Sequence, residues 1–146
     1  MALKRIVAWA SVSERSRRSV RERLESEGFE EVVIDAALSR ACEYGYIDDM
    51  RFASSLIRSR LGKHKGITGI RRELASHDID LDDVPGWPFD FVEDADDDIG
   101  RAVAYLELHP TRSKNKREGA YRKLMQAGYS SSTAASAARI WSENSR

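Results

Sequence analysis

Adjacent carboxylates can share a metal ion or divide general-acid and general-base work, and Asp48 and Asp49 form such a pair. Their surroundings point elsewhere. Asp48 directly precedes a helical apolar pattern through Phe52, Leu56 and Ile57, which is the place of an N-cap, and Asp49 falls where the positive end of a helix favours a negative charge. Capping is therefore the expected role. His64, His77 and His109 lack metal-ligand spacing and accompanying cysteines, so no zinc site is expected and they read as surface histidines. The lone thiol, Cys42, could in principle be a nucleophile, but it lies near the end of an apolar helical stripe and reads as a small buried hydrophobe. Gly62, Gly66 and Gly69 fit neither glycine-rich nucleotide fingerprint. Neither a catalyst nor a cofactor, metal or nucleotide site is expected.

The other residues with chemical reach are cations. One set falls on expected second helices: Arg17, Arg18, Arg21 and Arg23, then Arg71 and Arg72, then Lys114, Lys116, Arg117, Arg122 and Lys123. A second ridge, Arg58, Arg60, Lys63 and Lys65, precedes Gly66 in an expected loop. Clustered Lys and Arg are the footprint of phosphate or of an acidic partner, whereas scattered ones are ordinary solvated charges. The formal net charge of +0 hides this clustering. Residues 1–72 hold 15 Lys/Arg and 10 Asp/Glu, residues 73–98 hold 0 and 11, and residues 99–146 hold 9 and 3. Two basic lobes thus flank one acidic stretch. Charges more than about 10 Å apart are largely screened at physiological salt, so each lobe acts as a local basic surface.

Helices must carry these groups. Shifting the 146-residue chain by fifty positions aligns Val20, Ile70 and Ala120, then Leu24, Leu74 and Leu124, then Gly28, Asp78 and Gly128, then Phe29, Ile79 and Tyr129. Ala2, Phe52 and Ala102 align as well, as do Ile6, Leu56 and Leu106. Spacings of four place each pair on one helical face, so the register marks a repeated supersecondary unit. Ser16 and Ser130 read as N-caps, Gly28 and Gly128 as left-handed ends, and Pro85 as the break in a short third helix opened by Asp80. The expected fold is all-α, an elongated, curved array of three tandem three-helix repeats over 1–48, 49–98 and 99–146, the second with an irregular acidic third element. A unit of about 50 residues buries too little surface to be secure alone, so neighbours must share faces.

The stretch YGYIDDMRFASSLIRSRLGKHKGITGIRRELASHDI, Tyr44 to Ile79, resembles the middle of the RecX family of recombinase regulators. Gly45, Ile47, Asp48, Asp49, Arg51, Phe52, Ala53, Arg58, Arg60, Gly66, Ile70, Arg71, Glu73 and Leu74 carry the resemblance. The upstream SRRSVRERLESEGFEEVVIDAALSRACEYG is similar to the first RecX repeat, and REGAYRKLMQAGYSSSTAASAA more loosely to the last. Leu81 to Asp98 departs most from the family. The resemblance implies a regulator without chemistry of its own that binds the RecA filament on single-stranded DNA and inhibits strand exchange, ATP turnover and repressor cleavage. It would act as a monomer in DNA repair and the SOS response. The contact set expected for RecA or DNA phosphate is Arg17, Arg18, Arg21, Arg58, Arg60, Lys63, Lys65, Arg71, Arg72, Lys116, Arg117, Arg122 and Lys123.

A rival class stays open, because three-helix units with basic second helices also occur in autonomous DNA- or RNA-binding proteins. The acidic stretch has two readings too. Its Trp87, Phe89 and Phe91 dock a solvated connector onto a neighbouring unit, or the segment touches the protein's own basic face or mimics phosphate. The opening MALKRIVAWA is too short an apolar run for a signal peptide and no stretch approaches a membrane span, so a soluble cytoplasmic protein without a membrane partner is expected.

Overall fold

The computed structural model describes residues 1–93 and 97–145, and every regular element among them is helical. In chain order these are α1 (Ala2–Ala10), α2 (Arg17–Ser26), α3 (Glu31–Glu43), α4 (Asp49–Gly62), α5 (Ile67–Ala75), a single 3-10 turn at Leu81–Asp83, α6 (Asp98–Leu108), α7 (Lys116–Gln126) and α8 (Ser131–Asn144). The boundaries follow from capping chemistry. The hydroxyls of Ser16 and Ser130 accept from the N–H groups of Ser19 and Thr133, and the Asn115 amide oxygen accepts from the Glu118 N–H. Asp48 Oδ1 accepts from the N–H groups of Met50 and Arg51, at 3.0 and 3.2 Å, which confirms it as a cap. The aligned Gly28, Asp78 and Gly128 all adopt left-handed φ values, of 89°, 60° and 96°, so the chain leaves each second helix through the same turn.

The described chain groups into two compact units, Met1–Ser55 with Leu74–Pro85, and Leu56–Glu73 with Gly86–Arg146. In the first, Ile6, Trp9, Val20, Leu24, Ile34, Leu38 and Ala41 from α1, α2 and α3 form one apolar cluster with Ile47 of the following connection. Leu74, Ile79, Leu81 and Val84 are buried in that unit as well. In the second, Ala102, Leu106, Ala120, Leu124, Ala134, Ala138 and Trp141 from α6, α7 and α8 form the corresponding cluster with Tyr129 of the turn after α7. Removing each large side chain from water stabilises the fold by about 1.5–3 kcal/mol.

Three expectations change. Arg58 and Arg60 lie on α4 and not in a loop, because Leu56, Ile57 and Leu61 continue the helical stripe and the helix runs to Gly62. The third element of the middle repeat shrinks to one 3-10 turn, capped by Asp80, whose side chain accepts from the Asp82 N–H. Cys42 is half-buried beside the first unit's core instead of fully buried.

Candidate binding surface

In each repeat the second-helix residue at position 23, 73 or 123 is tied to the end of the first helix or the residues just past it, through a cation on one side or the other. The guanidinium of Arg23 lies 4.1 Å from the centre of the Trp9 ring. Arg60 grips Glu73 with two parallel bonds, Nε to Oε1 at 2.9 Å and Nη2 to Oε2 at 2.6 Å. Lys123 Nζ donates to the carbonyls of His109 and Pro110 at 3.0 and 3.2 Å. Repeated structure thus absorbs part of the cation set that composition alone assigns to a partner.

In the first unit several cations are held by carboxylates. Arg18 reaches both Glu22 and Asp78, at 3.1 and 2.8 Å, and those bonds raise its pKa, the hydrogen bond to Glu22 most. Arg21 holds Asp35 at 2.6 Å. Arg17 places its backbone N–H 2.7 Å from Asp49 Oδ1 and lines a cleft with Cys42, Asp48 and Asp49. Asp49 therefore satisfies an orphan N–H at the start of α2 besides lying in the first turn of its own helix.

The second unit is different. Arg60, Lys65 and Arg72 line one cleft of about 230 Å³ with Gly66, Gly69, Glu73, Met125 and Gly128. Lys65 Nζ stands 5.4 Å from the Tyr105 ring centre. Lys114, Lys116 and Arg117 line a second cleft beside Glu143, where Lys116 Nζ also donates to the Ser145 carbonyl at 3.2 Å. Lys63, Arg71 and Arg122 are exposed. Arg58 is exposed too, with its guanidinium 4.6 Å from the centre of the Phe91 ring, and Phe91 in turn meets Trp87 at 5.8 Å. The acidic aromatic segment thus touches a basic residue of its own unit. Phe89 remains 76% exposed.

A profile described as "RecX, second three-helix domain" matches residues 48–84. "Regulatory protein RecX" from Vibrio vulnificus is 30% identical over 115 residues, covering 76% of this chain and 73% of that protein. The protein of the same name from Xanthomonas axonopodis pv. citri is 32% identical over 111 residues, covering 73% and 67%. This chain belongs to the RecX family. The crystal structure of RecX from Lactobacillus salivarius shares its fold, with a TM-score of 0.68 at 18% identity over 97% of this chain and 95% of that one. The RecX relatives are named as regulatory proteins, and the segment of this chain that matches the RecX profile contains Arg58, Arg60, Lys63, Lys65, Arg71 and Arg72. That match ends at Val84, just before the aromatic run of Trp87, Phe89 and Phe91.

Sequence reasoning missed the roles of four residues, His77, Gly66, Gly69 and Glu73. His77 is not a free surface histidine: its Nδ1 lies 2.5 Å from the buried Ser16 hydroxyl, and its ring meets Phe52 at 4.7 Å. Gly66 and Gly69 do more than open a helix. Their N–H groups donate to the carbonyls of Ala127 and Gly128 at 3.0 and 2.7 Å, an approach that only side-chain-free residues allow. Glu73 occupies the bonding face of Arg60, and no local pattern announces that. The aligned column of turn residues is the one available signal, since it implies that each second helix ends against something specific.

Proposed function

We propose that this chain is a cytoplasmic regulator that binds the RecA filament on single-stranded DNA and, mainly by inhibition, modulates strand exchange, ATP turnover and repressor cleavage through binding energy alone. The observation that carries the reading is the asymmetry of its cations. Arg18 and Arg21 of the first unit are paired with carboxylates, whereas Lys65 and Arg72 of the second line a cleft that holds only one carboxylate, Glu73. An open basic surface within a family of named regulators suits a partner made of protein and phosphate. Among the described residues no group of His, Cys, Asp and Glu could hold a metal ion, and no helix is long and apolar enough to cross a membrane.

The test is a comparison of affinities at physiological salt. RecA-coated single-stranded DNA is expected to bind the chain more tightly than the same strand bare, and titration onto preformed filaments is expected to slow ATP turnover. Equal or weaker binding to the filament would overturn this reading in favour of an autonomous nucleic-acid-binding protein.

A further inference from the structure

The cleft lined by Arg60, Lys65 and Arg72 has a built form that ordinary surface charge lacks. Its floor is bare backbone, because a Cβ on Gly66 would lie 2.4 Å from the Gly128 carbonyl oxygen and one on Gly69 would lie 2.7 Å from the Gly128 Cα. The N–H groups of Gly66 and Gly69 are engaged by Ala127 and Gly128, so the start of α5 is occupied and the positive character of the cleft comes from side chains. Lys65 is steadied over the Tyr105 ring, and Arg72 has no ion pair among the described residues. Arg60 presents a planar two-donor fork, and both carboxylate oxygens of Glu73 fill it. The two non-bridging oxygens of a phosphodiester match that fork equally well.

We propose that this cleft is a phosphodiester subsite for single-stranded nucleic acid, and that Glu73 is its internal competitor, holding the Arg60 fork until a strand displaces it. The proposal rests on the regulator reading for its choice of ligand and not for its geometry. The pair is open to exchange, since the Arg60 and Glu73 side chains keep 33% and 36% of their exposure and water can solvate the carboxylate as it leaves. Three cations against one carboxylate leave the cleft net positive even before Glu73 departs. Displacing the carboxylate is still unfavourable by itself, so Glu73 sets a threshold: an isolated small anion meets a filled fork, while a strand that also engages Lys65 and Arg72 pulls the pair apart.

The full chain is titrated against a thymidine oligonucleotide of about 20 nucleotides over a salt series. Glu73→Gln is expected to raise affinity several-fold, and that gain is expected to vanish when Arg60→Ala is added. Lys65→Ala combined with Arg72→Ala is expected to lower the slope of log affinity against log salt by about 1.4, roughly 0.7 for each phosphate no longer neutralised. Helicity measured alongside shows each variant folded. Unchanged or weaker binding by Glu73→Gln, or an unchanged slope in the double variant, would overturn the proposal. So would inorganic phosphate that displaces the oligonucleotide far better than chloride at equal ionic strength, because the cleft would then be a small-anion site. RecA-coated strand measured in parallel separates the two readings. Absence of any preference for the filament, with cleft effects intact on bare strand, sinks only the regulator function, and preserved preference without cleft effects sinks only the subsite.

Discussion

The same junction is built twice in this molecule, once in each compact unit, with opposite chemistry. In the first unit the start of α2 meets the turn after α5 through side chains: the Ser16 hydroxyl against His77 at 2.5 Å, and Arg18 against Asp78 at 2.8 Å. Fifty residues on, the start of α5 meets the turn after α7 through backbone, Gly66 to the Ala127 carbonyl and Gly69 to that of Gly128. Tyr129 adds a 2.5 Å bond from its phenol to the His64 carbonyl. A side-chain junction can yield by rotamer changes, and a backbone junction cannot. The unit with the rigid junction is also the one whose cations surround an open cleft, as a preformed binding site requires.

Substitutions at equivalent positions can break or sharpen this contrast. The largest effect is expected from Gly66→Ala, whose Cβ meets the Gly128 backbone and has nowhere to go; a loss of about 3 kcal/mol in urea unfolding is expected, as for overpacking in a tight core. A loss below about 1 kcal/mol would show that the second junction relaxes as easily as the first. Next comes Ser16→Ala, which removes the α2 cap and the hydroxyl partner of His77, with an expected cost of about 1–2 kcal/mol in the same unfolding measurement. Burial pushes the Tyr129 phenol well above its ordinary pKa, so it stays a donor at physiological pH, and Tyr129→Phe is expected to cost about 1 kcal/mol. An equal midpoint for Tyr129→Phe and the parent chain would assign the second junction to its glycines alone. The smallest effect belongs to Arg18→Ala, whose partners are exposed and screened; no measurable change in midpoint is expected, and a clear drop would mean the first junction is electrostatic at heart.

Much of this architecture is legible from local rules. Leu24, Leu74 and Leu124 repeat on one helical face and are all fully buried, and Ser16, Asp48 and Ser130 sit where an oxygen must accept from a helix's unpaired N–H groups. These features depend on neighbours within one or two turns, which spacing records. The middle repeat strains that logic, since Phe52 occupies a core column yet is only half-buried and meets the His77 ring at a tilt of 55°.

What the sequence alone determined is therefore the helices, their caps, the fifty-residue register and the family. The tertiary structure decided which cations are taken up internally and which are offered. Arg18, Arg21, Arg60 and Lys123 are held by Asp78, Asp35, Glu73 and the His109 carbonyl, while Lys65 and Arg72 line one cleft beside the Arg60–Glu73 pair. Charge carries no periodicity of its own. An ion pair between residues 60 apart, or a glycine pressed on another glycine far along the chain, exists only once each unit has folded and brought those positions together.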